Sequence, residues 1–170
     1  MSVLETDRLI LTELKTKDAE FIHKLYNDQN FITYIGDKGI RSAQDAVNFI
    51  NTGPKQSYKD HKYGLYLVQL KDATSIGICG LLKRDDLAFP DIGFAILPEF
   101  RRMGFIYEAS KAVIEDAKNR LHFDNLLAIT SPDNNGSINL LKKLGFTLKD
   151  IIKRDINDKP VQLYIIYLDS

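Results

Sequence analysis

The sequence predicts a fold of the α/β class (α+β in some schemes), with about seven strands in a mixed, mostly antiparallel central sheet and about four helices. Residues 64–97 hold three β-type runs joined by short polar connections, which is typical of antiparallel neighbours. Residues 91–130 run strand, helix, strand, an order that a right-handed crossover makes parallel. Because the chain has 170 residues, of which 44% are hydrophobic, we expect one domain over residues 1–170.

The first half of the chain is predicted to hold a strand and two helices. Residues 8–14 form a β-rich run after a polar start. Residues 16–18 offer an N-cap to a helix whose apolar side chains recur at helical spacing as far as Tyr26. A second helix is predicted over residues 42–50, capped by its first serine. The sequence Thr-Gly-Pro at residues 52–54 is predicted to end that helix.

The second half is predicted as three strands, a helix, a strand, a helix and two strands. The first helix begins directly after a basic turn and continues through residues 108–121, and the second ends at Gly145, a glycine suited to a C-cap. The other predicted elements cover residues 64–70, 75–83, 89–97, 126–130, 138–144, 146–153 and 161–168.

Composition excludes several classes of function. Lys and Arg number 23, as do Asp and Glu, so no overall field favours nucleic acid or a membrane surface. The one cysteine, Cys79, excludes an internal disulfide and lies in a β-type run, which favours an inert core thiol over a reactive one. No metal is expected, since His23, His61 and His122 are widely spaced. Neither Gly-x-Ser-x-Gly nor Gly-x-Gly-x-x-Gly occurs, which argues against a serine hydrolase and a dinucleotide enzyme.

The N-terminal segment bears on where the protein resides. It has neither a basic leader nor a small-residue cleavage site, and no run of 18 apolar residues occurs along the sequence. We therefore expect a cytoplasmic protein.

The stretch from Asp91 to Ala109 is the most informative part of the sequence. An apolar strand ends at Leu97, a basic turn follows at residues 101–104 (Arg-Arg-Met-Gly), and a helix begins at once. Backbone N–H groups and the positive end of the helix dipole then point at one place, which suits a phosphate. The stretch is a candidate diphosphate site; the alternative is two solvated arginines beside a helix cap.

Three segments together resemble the GNAT (GCN5-related) N-acetyltransferases, in particular the RimJ/RimL-type branch that acetylates the N-termini of ribosomal proteins. The resemblance covers almost the whole chain and implies the GNAT fold, with the sheet splayed between its fourth and fifth strands and acetyl-CoA as co-substrate. The segments are Glu5-Thr6-Asp7-Arg8-Leu9, Ile92-Gly93-Phe94 with Glu108-Ala109, and Asn134-Asn135-Gly136-Ser137 with Lys143-Leu144-Gly145-Phe146.

The resemblance also implies which residues contact the cofactor. The end of the fourth strand would pair with the pantetheine arm, the basic turn would hold the diphosphate, and the Asn-x-x-Ser motif would contact the pantetheine and the thiolate. These residues are Phe94, Ala95, Ile96, Leu97, Arg101, Arg102, Met103, Gly104, Phe105, Ile106, Asn134 and Ser137. Ile106 departs from the family pattern, which has a glycine or alanine there, and its side chain either crowds the diphosphate or points into the core.

Direct acetyl transfer needs a base for the ammonium group and an acid for the thiolate. Asp91 lies close to where relatives carry a strand carboxylate and is the candidate base, acting through water; the alternative is a turn or solvent residue. Glu99 and Asp133 are weaker candidates. Many acetyltransferases use a tyrosine as the acid, but the equivalent position here is Leu141. The resemblance assigns that role to Ser137, which could instead only cap a helix.

The expected function is acetyl transfer from acetyl-CoA to a primary amine by direct attack in a ternary complex. The acceptor would be a protein N-terminal α-amine or a small amine such as a polyamine, an amino sugar or an antibiotic. It would bind to residues 26–41 and to the hairpin at 157–160, where Asp28 and Asp37 would suit a cationic acceptor. A homodimer is possible. The alternative is a catalytically weak or inactive CoA-binding sensor or interaction module, motivated by Ile106 and Leu141.

Overall fold

The computed structural model describes residues 2–168, which form one sheet in the strand order β1-β2-β3-β4-β5-β6-β8-β7. All neighbours in the sheet are antiparallel except β5 and β6, which are parallel. The strands are β1 (Ser2–Glu5), β2 (Leu9–Glu13), β3 (Leu65–Leu70), β4 (Ser75–Leu82), β5 (Asp91–Ile96), β6 (Asn125–Thr130), β7 (Thr147–Ile152) and β8 (Val161–Tyr167).

Six α-helices cover the two faces of the sheet within the described residues. No helix among them combines the length and the apolar character that crossing a membrane requires. The cytoplasmic location stays a prediction. The helices are α1 (Ala19–Tyr26), α2 (Gln29–Tyr34), α3 (Ala43–Thr52), α4 (Pro54–His61), α5 (Phe105–Asn119) and α6 (Asn135–Leu144), with short 3₁₀ turns at Thr16–Asp18 and Pro98–Phe100.

The predicted fold class is confirmed, and three elements are added to it. The extra strand is β1, and the extra helices are α2 and α4. The sequence Thr-Gly-Pro at residues 52–54 does end α3, but Pro54 is also the first residue of α4, a position that suits proline because its missing N–H needs no partner there. The buried side chain that anchors α4 is Tyr58, whose hydroxyl accepts a hydrogen bond from the Leu14 N–H (3.0 Å) and donates one to the carbonyl of Leu65.

The splay between β5 and β6 is confirmed. These strands pair in register only at Asp91 and Leu127, and the Leu127 N–H donates to the carbonyl of Pro90 at 2.9 Å. On its other side β5 pairs with β4 along its whole length, from Asp91 to Ile96. The two parallel strands therefore begin together and then separate, which opens the sheet towards the C-terminal end of β5.

Both faces of the sheet carry a hydrophobic core. One core lies under α5 and α6 and the other under α1 and α3. Cys79 belongs to the first, is fully buried, and has its sulfur 3.6 Å from the hydroxyl oxygen of Ser110. Burial raises the pKa of the Cys79 thiol to about 12. The expectation of a buried core thiol is confirmed.

Candidate active site

The basic turn brings several unpaired N–H groups to one end of α5. Arg102 and Gly104 both have left-handed backbone conformations, with φ of 63° and 80°, and Gly104 is the N-cap residue of α5. Within residues 2–168, no side chain caps this helix. The N–H groups of its first turn have no partner inside the helix and face the same direction as the positive end of the dipole. The geometry fits an anionic group such as a diphosphate.

A hydrogen-bond network joins the N-terminal motif to this turn. The Arg8 guanidinium donates to Glu108 (Nε to Oε1, 2.8 Å) and to the carbonyl of Met103 (Nη1 to O, 3.0 Å), and it lies 4.4 Å from the centroid of the Phe105 ring. The Thr6 hydroxyl donates to the same glutamate. Burial alone would raise the pKa of Glu108, but these hydrogen bonds outweigh it and lower the pKa. The sequence motifs at residues 5–9 and 108–109 are thus in contact and fix the turn.

The Arg101 side chain forms hydrogen bonds within the protein. Its Nη2 donates to Asp28 Oδ2 at 2.7 Å and to the carbonyl of Ile96 at 3.4 Å. Asp28 also caps α2, since its side chain accepts from the Phe31 N–H at 3.3 Å. Arg101 therefore ties α2 to the turn, whereas the Arg102 side chain is exposed. Both arginines line the turn cleft, and their contact with a phosphate stays a prediction.

Ile106 is mostly buried, and whether its side chain affects cofactor binding stays a prediction. Its side chain is only 8% exposed, although it also forms part of a cleft wall. A β-branched side chain that packs inward leaves its backbone N–H accessible to a ligand.

The edge of β5 presents main-chain groups to the splay. Along an antiparallel ladder the N–H and C=O groups of successive residues point to opposite sides. The Leu97 N–H donates to Ile76 on the β4 side, whereas the Pro90 carbonyl accepts on the β6 side. By this alternation the main-chain groups of Phe94 and Ile96 point away from β4. Because β6 has already diverged there, they line the opening and can pair with an extended amide chain.

Two clefts open on either side of this splay. The turn cleft, of about 710 Å³, is lined by the residues of the basic turn, by Phe105–Tyr107 and by the start of α6. The hairpin cleft, of about 900 Å³, is lined by α3, α4, the start of β5 and the β7–β8 hairpin. They share the walls supplied by Phe31, Tyr34, Ile35, Phe94, Ala95, Asn134 and Ser137.

Asn134 and Ser137 lie where the clefts meet. The Asn134 Oδ1 accepts a hydrogen bond from the Ser137 N–H at 3.2 Å, so Asn134 caps α6. That cap uses the backbone of Ser137 and leaves its hydroxyl available. One turn further along, Leu141 is 1% exposed and packs in the core beside the hairpin cleft. The nearest hydroxyl that the sequence motif offers at this junction is therefore that of Ser137, and its catalytic role stays a prediction.

Asp91 lies at the point of the splay, in the wall of the hairpin cleft. It is 1% exposed and forms an ion pair with Arg84, with 2.9 Å between Oδ1 and Nε. Burial raises the pKa of Asp91, and Arg84 only partly offsets this. A buried carboxylate with a raised pKa is a stronger proton acceptor than an exposed one. Asp91 is thus a buried cleft residue and not the solvent-facing turn residue of the alternative expectation.

The two weaker candidates for the base fit less well. Glu99 is exposed, lies 3.9 Å from the Lys24 ammonium group and lines neither cleft. Asp133 lines the turn cleft, but its carboxylate accepts a hydrogen bond from Ser131.

The charges of the hairpin cleft differ from the expectation for a cationic acceptor. Asp28 is paired with Arg101, and Asp37 is paired with Arg41 and lines neither cleft. Both carboxylates are therefore ion-paired within the protein, and a role for them in binding a cationic acceptor stays a prediction. The cleft wall instead carries three basic side chains that sequence reasoning missed, because they come from three distant loops: Lys38, Arg84 and Arg154.

The family follows from comparison with known proteins. A model of the acetyltransferase (GNAT) domain matches residues 8–147. This chain belongs to the GNAT acetyltransferase family. The uncharacterized N-acetyltransferase YoaA of Bacillus subtilis is 29% identical over 155 residues, which cover 89% of this chain and 86% of YoaA. As a member of the family, the chain is an N-acetyltransferase.

Solved structures show the same fold. RimL, a ribosomal L7/L12 α-N-protein acetyltransferase solved with coenzyme A, is 14% identical with a TM-score of 0.84, and the match covers 99% of both chains. The microcin C7 self-immunity acetyltransferase MccE, solved with acetyl-CoA and AMP, is 19% identical with a TM-score of 0.82 over 96% of this chain and 94% of MccE. Within residues 2–168, no cluster of His, Cys, Asp and Glu side chains is arranged to hold a metal.

Proposed function

We propose that this acetyltransferase transfers the acetyl group of acetyl-CoA directly to a primary amine, either a protein N-terminal α-amine or the amine of a small molecule. The observation that carries the proposal is the meeting of two clefts at the splay, with Ser137 in the wall of both. One cleft suits the thioester and the other the amine, so both substrates can be held in contact in a ternary complex.

Three observations support acetyl-CoA as the donor. The turn offers unpaired N–H groups to a diphosphate, and the exposed Arg102 adds a positive charge. The edge of β5 offers main-chain groups to the two amides of a pantetheine arm. The volume of the turn cleft, about 710 Å³, is within the range of small-molecule sites. MccE and RimL were solved with acetyl-CoA and coenzyme A, which agrees with this assignment.

The proton balance of the transfer gives two residues their roles. A C–N bond forms and a C–S bond breaks, so the amine loses a proton and the sulfur gains one. In the proposal, Asp91 accepts the first proton through a water molecule, and Ser137 donates the second and regains a proton from solvent. The hydroxyl of Ser137 lies in the first turn of α6, where the helix dipole stabilises developing negative charge.

The alternative function is a CoA-binding module with little or no turnover, and the structure bears on both residues that motivated it. The Ile106 side chain is only 8% exposed, which favours inward packing over crowding of the diphosphate. Leu141 does remove the tyrosine that many acetyltransferases use, but Ser137 supplies a hydroxyl at the same junction.

The test is release of free CoA thiol from acetyl-CoA with a panel of amines, together with the measured affinity for CoA. We expect amine-dependent thiol release and a mass gain of one acetyl group on the amine. CoA binding without release above background hydrolysis, for every amine tried, would favour the binding module. Absence of CoA binding would overturn both readings.

A homodimer also belongs to this proposal. β7 is the last strand in the sheet order, and its Leu148 and Ile151 are 52% and 60% exposed. An edge strand with exposed apolar side chains suits association with a second copy. Light scattering tests this, and a monomer mass across the accessible concentration range would overturn it.

A further inference from the structure

The hairpin cleft has an unusual charge distribution for a site that receives an amine. Five lysines and arginines line it against three aspartates. A protonated amine that carries further positive charges would be repelled by such a wall. These basic side chains can bind a ligand only where carboxylates of the protein do not already neutralise them.

Arg154 is neutralised by the protein. Its Nε and Nη2 donate to the two carboxylate oxygens of Asp86 at 2.7 and 2.8 Å. Asp91 and Asp158 also add negative charge near this guanidinium and raise its pKa together with Asp86. Arg154 contributes to the positive field of the cleft but has little capacity to bind an anion itself.

Arg84 has only part of its hydrogen-bonding capacity occupied. Its Nε donates to Asp91, while its two terminal nitrogens make no hydrogen bond to any of residues 2–168. The side chain is 28% exposed and lines the hairpin cleft. Two adjacent N–H donors match the two oxygens of a carboxylate or a phosphate.

Lys38 has no carboxylate partner within the described residues. It lies in the loop between α2 and α3 and lines the same cleft. Partial burial lowers its pKa, and the neighbouring positive charges of Arg84 and Arg154 lower it further. Lys38 lines the same cleft as Arg84 and Arg154, so a negative group bound there would offset the positive charge that is not paired within the protein.

We propose that the acceptor carries a carboxylate or phosphate group besides its amine, and that Arg84 and Lys38 bind this group in the hairpin cleft. The inference rests on the proposed function, since it concerns the acceptor of the same reaction. Arg84 contacts Asp91 directly, so an anion held by Arg84 lies on the same wall as the candidate base. The acceptor thus has its negative group a short distance from the amine that is acetylated.

The experiment compares amines that differ only in the negative group. The pairs are O-phosphoethanolamine with ethanolamine, β-alanine with β-alaninamide, and a tetrapeptide beginning Ser-Asp with one beginning Ser-Asn. For each, kcat/KM is corrected for the fraction of neutral amine. We expect the anionic member of at least one pair to react about 10- to 100-fold faster, the range of a charged hydrogen bond. The pair with the largest ratio tells phosphate, carboxylate and peptide acceptors apart.

Two variants make the comparison specific. Lys38→Glu, on an exposed loop, is expected to lower kcat/KM for the anionic member about 10-fold or more and to change the neutral member little. Lys59→Glu makes the same charge change on α4, where the side chain is exposed and lines neither cleft, and is expected to leave both unchanged. Equal rates within every pair, or equal losses for both members in Lys38→Glu, would overturn the inference.

The failure of this inference is distinguishable from failure of the proposed function. If neutral amines are acetylated as well as anionic ones, only the anion site is wrong. If no amine is acetylated, the proposed function fails, and binding of O-phosphoethanolamine is measured by its shift of the melting temperature. A shift in the wild type that Lys38→Glu removes and Lys59→Glu retains would uphold the anion site; no shift would overturn it.

Discussion

The two clefts on either side of the splay are built in different ways. The turn cleft comes largely from one continuous stretch, β5 through the first turn of α5, and from the start of α6. The hairpin cleft takes its wall from loops that are far apart in the sequence, including those that carry Lys38, Arg84 and Arg154. The first provides backbone groups, which depend little on side-chain identity, whereas the second provides side chains. In this chain, changes of side chain should therefore alter the acceptor side more than the cofactor side.

The largest effect is expected from changing Asp91, which belongs to the hairpin cleft alone. Asp91→Asn should lower kcat by about 10²- to 10⁴-fold, the usual range for loss of a general base. Activity requires the ionised carboxylate, and burial raises its pKa, so the wild-type rate should fall as the pH drops through a value above that of an ordinary aspartate. After correction for the fraction of neutral amine, this acid limb should be absent from the variant, and CoA affinity should be unchanged. An acid limb that persists in Asp91→Asn would assign it to another group.

The next largest effect is expected at Ser137, where the clefts meet. Ser137→Ala should lower kcat about 10²-fold with little change in either substrate affinity. The cap of α6 survives this change because Asn134 accepts from the backbone N–H. Ser137→Cys, which keeps a proton donor, should recover part of the rate. Asn139→Ala, at an exposed position of the same helix, is the control. A wild-type kcat in Ser137→Ala would leave its hydroxyl without a catalytic role.

A smaller effect, confined to the turn cleft, is expected at Glu108. Glu108→Gln weakens the hydrogen bonds from Arg8 and Thr6 that hold the turn. We expect the Kd for acetyl-CoA to rise about 10-fold, since a charged hydrogen bond contributes roughly 1.5–3 kcal/mol, while KM for the amine stays the same. Glu115→Gln changes an exposed glutamate of α5 and should have no effect. Calorimetric titration measures the affinity. If the KM for the amine rose as much as the Kd for acetyl-CoA, Glu108 would affect both clefts and the prediction would be wrong.

The smallest functional effect is expected at Ile106. Ile106→Ala should leave the Kd for acetyl-CoA unchanged, because the side chain packs inward. It should lower the free energy of unfolding by about 2 kcal/mol, the low end for truncating a buried isoleucine. Urea unfolding and titration with CoA measure the two quantities. A clear gain in affinity would show that the β-branched side chain does crowd the diphosphate.

Most of the fold was predictable because its elements carry strong local patterns. The exceptions are instructive. α4 has the sequence PKQSYKDH, in which only Pro54 and Tyr58 are buried, so no apolar periodicity marks it. α2 has six residues and one buried side chain, Phe31, and depends on the cap from Asp28. Both helices are stabilised by contacts with distant residues, which a sequence pattern does not contain.

The residues of the candidate site also differ in whether the sequence could identify them. Gly104, Asn134 and Ser137 belong to short motifs whose spacing is meaningful by itself, so the sequence could nominate them. Lys38 and Arg84 could not be found this way, because each is an ordinary surface cation until the fold brings their loops together. The ion pair between Arg101 and Asp28 could not be predicted either, since the two residues are 73 positions apart in the sequence.

The buried position of Cys79 has a practical consequence for all these measurements. The chain has one cysteine, fully buried and with a raised pKa, so the folded protein should add almost no signal to a thiol reagent. Colour from such a reagent then reports coenzyme released by turnover. Once the protein unfolds, the same sulfur becomes reactive, and one equivalent of label per chain counts the unfolded molecules. A single reagent can thus separate a variant that has lost its chemistry from one that has lost its fold.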